Sequence, residues 1–416
     1  MNPSKTLRLR IKDAPVEETI MLRLRIPVIF LCLTFFSAIV PAQENKPVYV
    51  GFDGEFSLLN STSAQSIERG IRIALDEINE AGGVLNGRPM KLMTRDNRSI
   101  PARGRENIRR FAEVEDLVAV VGGRYSPVLL DEIDLVHELG IVLLDAWGSA
   151  DGITEHDYRP SYTFRLSLRD RYAMPALLRH TLEKGARRVG IMLPNTGWGR
   201  SNAKAAQRYQ ERESAPKILK SVWYHWGEKE MLRHYRILLS AGVDAVILVA
   251  NDIEGSRLVH QLAAVDSDER LPIISHWGVT GGKMVEKSGA MLHKLDFSVV
   301  QTFSLFTADP QIRDRVMSRA KRLFDIQRIE DVESPVGFGH AYDLMHILAH
   351  AVNIVGTTNR AKVRDALEQV RDYQGLTGSY PLPFTPESHD ALRMEQVFMA
   401  RYREDGVIVP LSLERK

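Results

Sequence analysis

The stretch 117–154 constrains the fold more than any other. LVAVVGG, RYSP, VLLDEIDLVHELG, IVLLD and AWGSADGIT follow one another there as strand, loop, helix, strand and loop. Residues 117–121 and 141–144 are aliphatic runs without a charge, and such runs suit strands buried on both faces of a parallel sheet. Between them Val128, Leu129, Ile133, Val136 and Leu139 recur at helical spacing, and Gly140 supplies the stop. Two loops, 122–127 and 145–149, leave neighbouring strand ends. In an open α/β sheet ligands sit outside the carboxyl ends of the strands. Both loops combine small or hydroxylated residues with an aromatic one, which predicts a pocket wall.

The same rhythm extends in both directions. A strand is predicted over 47–52, a polar loop over 53–66, a helix over 67–80 and a strand over 90–95, followed by a basic helix over 101–114. Further strands at 188–193, 243–250 and 271–275 each lead into a loop, at 194–201, 251–255 and 276–282. Strands alternating with helices imply parallel βαβ winding. A long apolar-faced helix is expected over 336–355, a shorter one over 361–370, and two strand-like runs close the chain at 396–402 and 407–411. The two halves share this rhythm without a convincing sequence repeat. A chain of 416 residues exceeds one compact domain, so two lobes are the natural expectation.

Charge and termini narrow the function. The net charge is +2, but the first 42 residues carry six Lys/Arg and three Asp/Glu, leaving about −1 for the rest. That argues against bulk attraction to nucleic acid. Arg23 and Arg25 precede an uncharged stretch, 26–40, and Val40-Pro41-Ala42 fits a small-residue cleavage site. The pattern predicts a cleaved export signal over 1–42, with Met21 as a candidate start. The apolar stretch falls short of the roughly 20 residues that a membrane span requires. Cys32, the sole cysteine, lies inside it and would leave with the signal.

Several runs, in order over most of the chain, resemble the leucine/isoleucine/valine-binding family of periplasmic receptors, the type I periplasmic binding proteins. They are GIRIALDEINEAGGVLNGRPMKL, VAVVGGRYSPV, IVLLDAWGSADGIT, SYTFRLSLRD, NTGWGRS, GHAYDLMHILAHAV and GLTGSYPLPFT. The resemblance implies an α/β fold of two doubly wound parallel-sheet lobes joined by a three-crossing hinge, with crossings near 164–167, 300–304 and 375–380. Lobe 1 would be 46–166 plus 303–374, and lobe 2 would be 167–302 plus 375–416. It also implies a monomeric solute-binding receptor that encloses a small molecule between the lobes and hands it to an ABC permease in the membrane, with no cofactor. The same fold serving as a sensory module for a membrane kinase or regulator is the alternative.

Residue by residue, the resemblance places ligand contacts at Ser126 and at Trp147, Gly148 and Ser149, with Trp198 as the aromatic lid. Trp147 stands where the family has a small residue, so the pocket must be shaped differently. Trp277 stands at or beside the family's acidic partner for an α-ammonium, which weakens the case for an α-amino acid. A face-on cation–π contact is the substitute it offers. Tyr125, Asp252 and Glu254 complete the candidate site, with Asp53, Glu55 and Asp145 as further carboxylates nearby. Competing structural roles are turn or cap duty for Ser126 and Ser149 and helix N-terminal duty for Asp252 and Glu254. Three loop tryptophans suggest a flat, aromatic or partly apolar ligand, while the resemblance implies a range of amino acids, amides and small organic acids with an amino-acid-like molecule first. His340, His346 and His350 have a spacing that could hold a metal, but surface or packed helix positions are the favoured reading. No G-x-G-x-x-G, P-loop, H-E-x-x-H or G-x-S-x-G occurs, so no enzyme chemistry is expected.

Overall fold

The computed structural model describes residues 46–58, 61–211 and 215–413. The export signal, Met21 and Cys32 lie outside these residues. The chain begins with five parallel strands: β1 (Val48–Gly54), β2 (Met90–Asp96), β3 (Leu117–Gly122), β4 (Leu143–Asp145) and β5 (Thr163–Arg165). Helices α1 (Ser63–Glu80), α2 (Pro101–Ala112) and α3 (Ser126–Glu138) connect them. All six residues of β3 are buried, as its charge-free run requires of a central parallel strand. Gly140, at φ +60°, ends the turn after α3, a conformation that suits glycine.

A second parallel set follows: β6 (Arg188–Pro194), β7 (Lys217–Tyr224), β8 (Ala245–Leu248), β9 (Ile273–Ser275) and β10 (Phe297–Gln301). Helices α4 (Asp170–Glu183), α5 (Gly197–Gln210), α6 (Met231–Ser240), α7 (Asp252–Gln261) and α8 (Met284–Ser288) belong to it. Then come α9 (Pro310–Phe324), α10 (Pro335–Val355) and α11 (Arg360–Leu367), with the short pair β11 (Tyr373–Gln374) and β12 (Ser379–Tyr380). The chain ends in β13 (Phe398–Tyr402) and β14 (Ile408–Pro410), which extend the second sheet antiparallel beyond β10.

The first sheet runs β2-β1-β3-β4-β5 and the core of the second runs β7-β6-β8-β9-β10. The two halves therefore share one topology, with switch points between β1 and β3 and between β6 and β8. The rhythm seen in sequence is a duplicated architecture without a duplicated sequence. Helix α10 is buried almost all round because it lies between α1 and the inter-lobe seam. Gly70 lets the Phe338 backbone approach α1, and Gly337 sits under the Trp147 ring. The Tyr342 hydroxyl donates to Glu77 at 2.7 Å. The segment after β11 is tied to this side, since Asp343 accepts from Tyr373 Oη and Leu376 N, and His389 pairs with Thr163 O and Glu368.

The lobes are closed on each other. Thr62 N–H donates to Gly281 O at 3.1 Å, Ser334 Oγ to Thr280 O at 2.7 Å, and Lys283 pairs with Glu333 at 2.7 Å. One apolar core runs from the first sheet to the second and contains Trp147 and Trp277, whose ring centroids lie 5.7 Å apart. Where the first chain segment leaves β5, Arg165 and Arg169 both bond Asp390, at 2.6 and 2.9 Å, with all three side chains at least nine-tenths buried.

Candidate functional site

The carboxyl ends of β3 and β4 shape one wall. Gly123 lies against Glu55 and the Asp53 carbonyl, so any side chain there would collide with the loop after β1. Arg124 follows and is buried. Its Nη2 donates to Tyr125 Oη at 2.5 Å, and its Nη1 donates across the cleft to Asp252 Oδ1 at 3.2 Å and Gly278 O at 3.4 Å. Burial alone would depress the Arg124 pKa, but Tyr125, Asp252 and Glu55 outweigh it and hold the guanidinium charged. Burial pushes the Tyr125 hydroxyl up to about 12 despite Arg124, so it remains a neutral phenol.

After β4 the turn is fixed internally. Asp145 Oδ1 accepts from Trp147 N and Gly148 N at 3.0 and 2.6 Å. Burial pushes the Asp145 carboxyl up to about 7, against Arg165 and these two donors. Ser126 Oγ, at the start of α3, accepts from Ser149 N and Ala150 N at 3.1 and 3.2 Å. The hydroxyl thus ties the β3 loop to the β4 loop, which is the turn role weighed for it in sequence.

The opposite wall comes from β6, β7, β8 and β9. Trp198 sits in the first turn of α5, where Thr196 caps the helix by accepting from Gly199 N at 3.3 Å. Its indole N–H donates to Asp170 Oδ1 at 3.3 Å, an oxygen that His276 Nε2 also approaches at 3.1 Å. Trp226, on the loop after β7, meets Tyr125 edge-on at 5.3 Å. Asn251 precedes α7, and Trp277 opens the turn after β9. Gly278 is packed so tightly that a Cβ would press on the Ala250 carbonyl and the Trp198 ring.

These walls meet around one small cavity of about 10 Å³. Six residues named from the sequence line it together: Tyr125, Ser126, Trp147, Ser149, Trp198 and Trp277. Arg124, Pro127, Trp226, Asn251 and Gly278 join them. Four of the five tryptophans of the chain therefore surround one point. Three named residues do not line it. Gly148 uses its N–H on Asp145, Asp252 stands behind Arg124 with Lys287 on its other oxygen at 2.8 Å, and Glu254 accepts from Gly227 N at 2.7 Å. Asp53, bonded by Asn97 and Asn107 at 2.8 and 2.6 Å, and Glu55, bonded by Ser63, are likewise held by the first lobe.

Arg124 and Trp226 carried no signal in the sequence. Arg124 reads there as one polar residue in a loop, and Trp226 follows an edge strand without a hydrophobic run. A larger groove of about 530 Å³ follows the lobe rim past Lys283, Glu333 and Asp405, but these charges are paired with Glu333, Lys283 and Arg403 respectively. His340 is buried and bonded to Ala146 O and Thr302 at 3.1 Å each. Among the described residues no group of three or more metal-ligating side chains gathers.

The periplasmic binding protein family profile matches residues 47–406. A Pseudomonas aeruginosa "Amino acid binding protein" is 23% identical over 323 residues, covering 77% of this chain and 82% of its own. A "Periplasmic binding Protein Type 1" from Bordetella pertussis superposes with a TM-score of 0.78 at 20% identity, over 88% of this chain and all of the other. An R. palustris solute-binding protein solved in complex with benzoate superposes at 0.73 with 15% identity, over 88% and 95%.

Proposed function

Because the chain belongs to the periplasmic binding protein family, we propose that it is an exported receptor that captures a small solute between its two lobes and delivers it to an ABC importer. One observation carries the reading: strand-end loops of both sheets converge on a single aromatic-walled cavity at the closed seam. Side chains that meet only when two lobes close form a site whose affinity depends on that closure, and excluding water strengthens each polar contact made inside it. On this reading the lobes are 46–166 plus 303–374 and 167–302 plus 375–416, with the early part of the last segment lying against α10. The export signal over 1–42 brings the receptor to the periplasm. Amino-acid binding by the Pseudomonas relative and benzoate binding by the R. palustris neighbour bracket the ligand as a small carboxylic acid.

The test is a melting-temperature screen of the mature chain against amino acids and aliphatic and aromatic acids, followed by calorimetry on each hit. One-to-one binding with the compound recovered unchanged supports the receptor. Turnover of the compound, or no hit in any class, removes it. Deleting the gene should abolish cellular uptake of the ligand; unaffected uptake would favour the sensory role.

A further inference from the structure

Three N–H donors on residues lining the cleft cavity have no hydrogen-bond partner among the described residues: Arg124 Nε, Trp147 Nε1 and Trp226 Nε1. Buried donors are rarely left so, and here three belong to one cavity. Its described lining residues include no carboxylate. The guanidinium fork is also under-used, because among the described residues its one carboxylate contact is a single bond to Asp252 Oδ1 at 3.2 Å, where arginine favours two parallel bonds. Asp252, in turn, has a second cation, Lys287, at 2.8 Å on Oδ2.

We infer that Arg124 is the ligand's carboxylate anchor and that Asp252 is an internal competitor for it, which makes the site selective for small planar monocarboxylates over α-amino acids. The inference rests on the receptor reading above and deepens it. Once the lobes part, since the closed cavity of about 10 Å³ is barely one water in size, a ligand carboxylate takes the place of Asp252 on the guanidinium, and Asp252 keeps Lys287, so the exchange strands no charge. The indole N–H groups of Trp147 and Trp226 supply further donors for the anion, and the tryptophan rings supply flat apolar area with few rotatable bonds. An α-ammonium finds no anion among the described lining residues, whose charged member is the cation of Arg124. Gly281 belongs to the same device, since a Cβ there would overlap the Arg124 guanidinium.

The test uses the mature chain and three probes by calorimetry: benzoate, benzamide as its neutral isostere, and L-leucine. Benzoate is expected to bind at least tenfold more tightly than either of the others. Arg124→Gln should weaken benzoate at least tenfold and bring it level with benzamide. Asp252→Asn removes the competitor and should tighten benzoate severalfold relative to benzamide. That variant keeps the inference testable if Arg124→Gln fails to fold. Equal binding of benzamide or L-leucine, a retained benzoate preference in Arg124→Gln, or weaker benzoate binding in Asp252→Asn would each overturn the anchor. Binding of L-leucine without benzoate overturns the anchor and leaves the receptor standing. Failure of every compound in the wider screen removes both.

Discussion

Replacing Asp390 by alanine should be among the most damaging single changes outside the apolar core. Asp390 receives Arg165 Nε at 2.6 Å and Arg169 Nη1 at 2.9 Å, and Thr154 Oγ1 donates to it at 3.0 Å. Arg165 is fully buried, and the other two charged side chains are at most 9% exposed. Removing the carboxylate leaves two buried guanidinium groups short of an anion. Breaking a buried pair this way costs about 3–5 kcal/mol. Arg169 keeps Glu155 at 3.0 Å, so the lower half of that range is expected. For a chain of this size, at about 2 °C per kcal/mol, the melting temperature falls by roughly 6–8 °C.

The pH dependence gives an independent reading of the same group. Burial alone would raise the Asp390 pKa, but Arg165 and Arg169 outweigh it and hold the carboxyl below the usual aspartate range. A depressed folded pKa stabilises above the unfolded value, about 3.9, and that stabilisation is lost as pH falls through the folded value. The gap between the native protein and Asp390→Ala should therefore be constant near neutrality and narrow below about pH 4. Urea unfolding across pH measures it, with Asp331→Ala as the control. The Arg328–Asp331 pair is 68% and 36% exposed, and solvent screening leaves such a surface pair little to contribute. A loss at Asp390 no larger than at Asp331, or a gap that widens in acid, would refute the reasoning.

Three further outcomes are expected. Trp198→Ala and Trp277→Ala should each weaken ligand binding by roughly 1–3 kcal/mol with the fold intact; unchanged affinity in both, by calorimetry, moves the site elsewhere. Gly278→Ala forces a methyl against the Ala250 carbonyl and Trp198 and should lower stability by about 1–3 kcal/mol in urea, whereas an unshifted midpoint would mean the loop yields freely. Glu132 and Asp53 lie side by side against Gly104, and both Glu132 oxygens lack a hydrogen-bond partner among the described residues. Burial raises the Glu132 pKa well above its usual range and moves Asp53 up to about 6. Their contribution is then full at low pH, that of Asp53 being lost as pH rises through about 6 and that of Glu132 as pH rises through its own raised value. Glu132→Gln should flatten that loss in melting curves between pH 4 and 8, and parallel curves would contradict it.

What was legible in the sequence was what burial writes into it. The β3–α3–β4 unit carries two charge-free runs and a clean helical stripe, and the structure reproduces it with shifts of one or two residues at its ends. Strand-end loops could be named, and with them six residues of the cavity. Edge strand β7 escapes a sequence reading because KILKSVWY is largely exposed and carries neither a long charge-free run nor a clean period-two alternation. With it went Trp226, whose loop exists only because β7 does. Helix α9 was missed for the same reason, with only Val316 and Ala320 buried. The predicted loop over 53–66 is shorter than expected, since α1 begins at Ser63. Ser63 and Ser66 look like loop residues, yet Ser63 bonds Glu55 at 2.5 Å and Ser66 bonds Glu333. Arg124 and Asp252 are 128 positions apart, and only lobe closure brings them together.

The most direct test is a fluorescence titration of the Trp223→Phe variant with any compound that raises the melting temperature. Trp223 is 41% exposed and away from the cavity, while the remaining four tryptophans all line it. A saturable change in tryptophan emission, with the midpoint found by calorimetry, is expected if the ligand enters between the lobes. Tight calorimetric binding with emission unaltered throughout would place the ligand elsewhere and contradict the inter-lobe site.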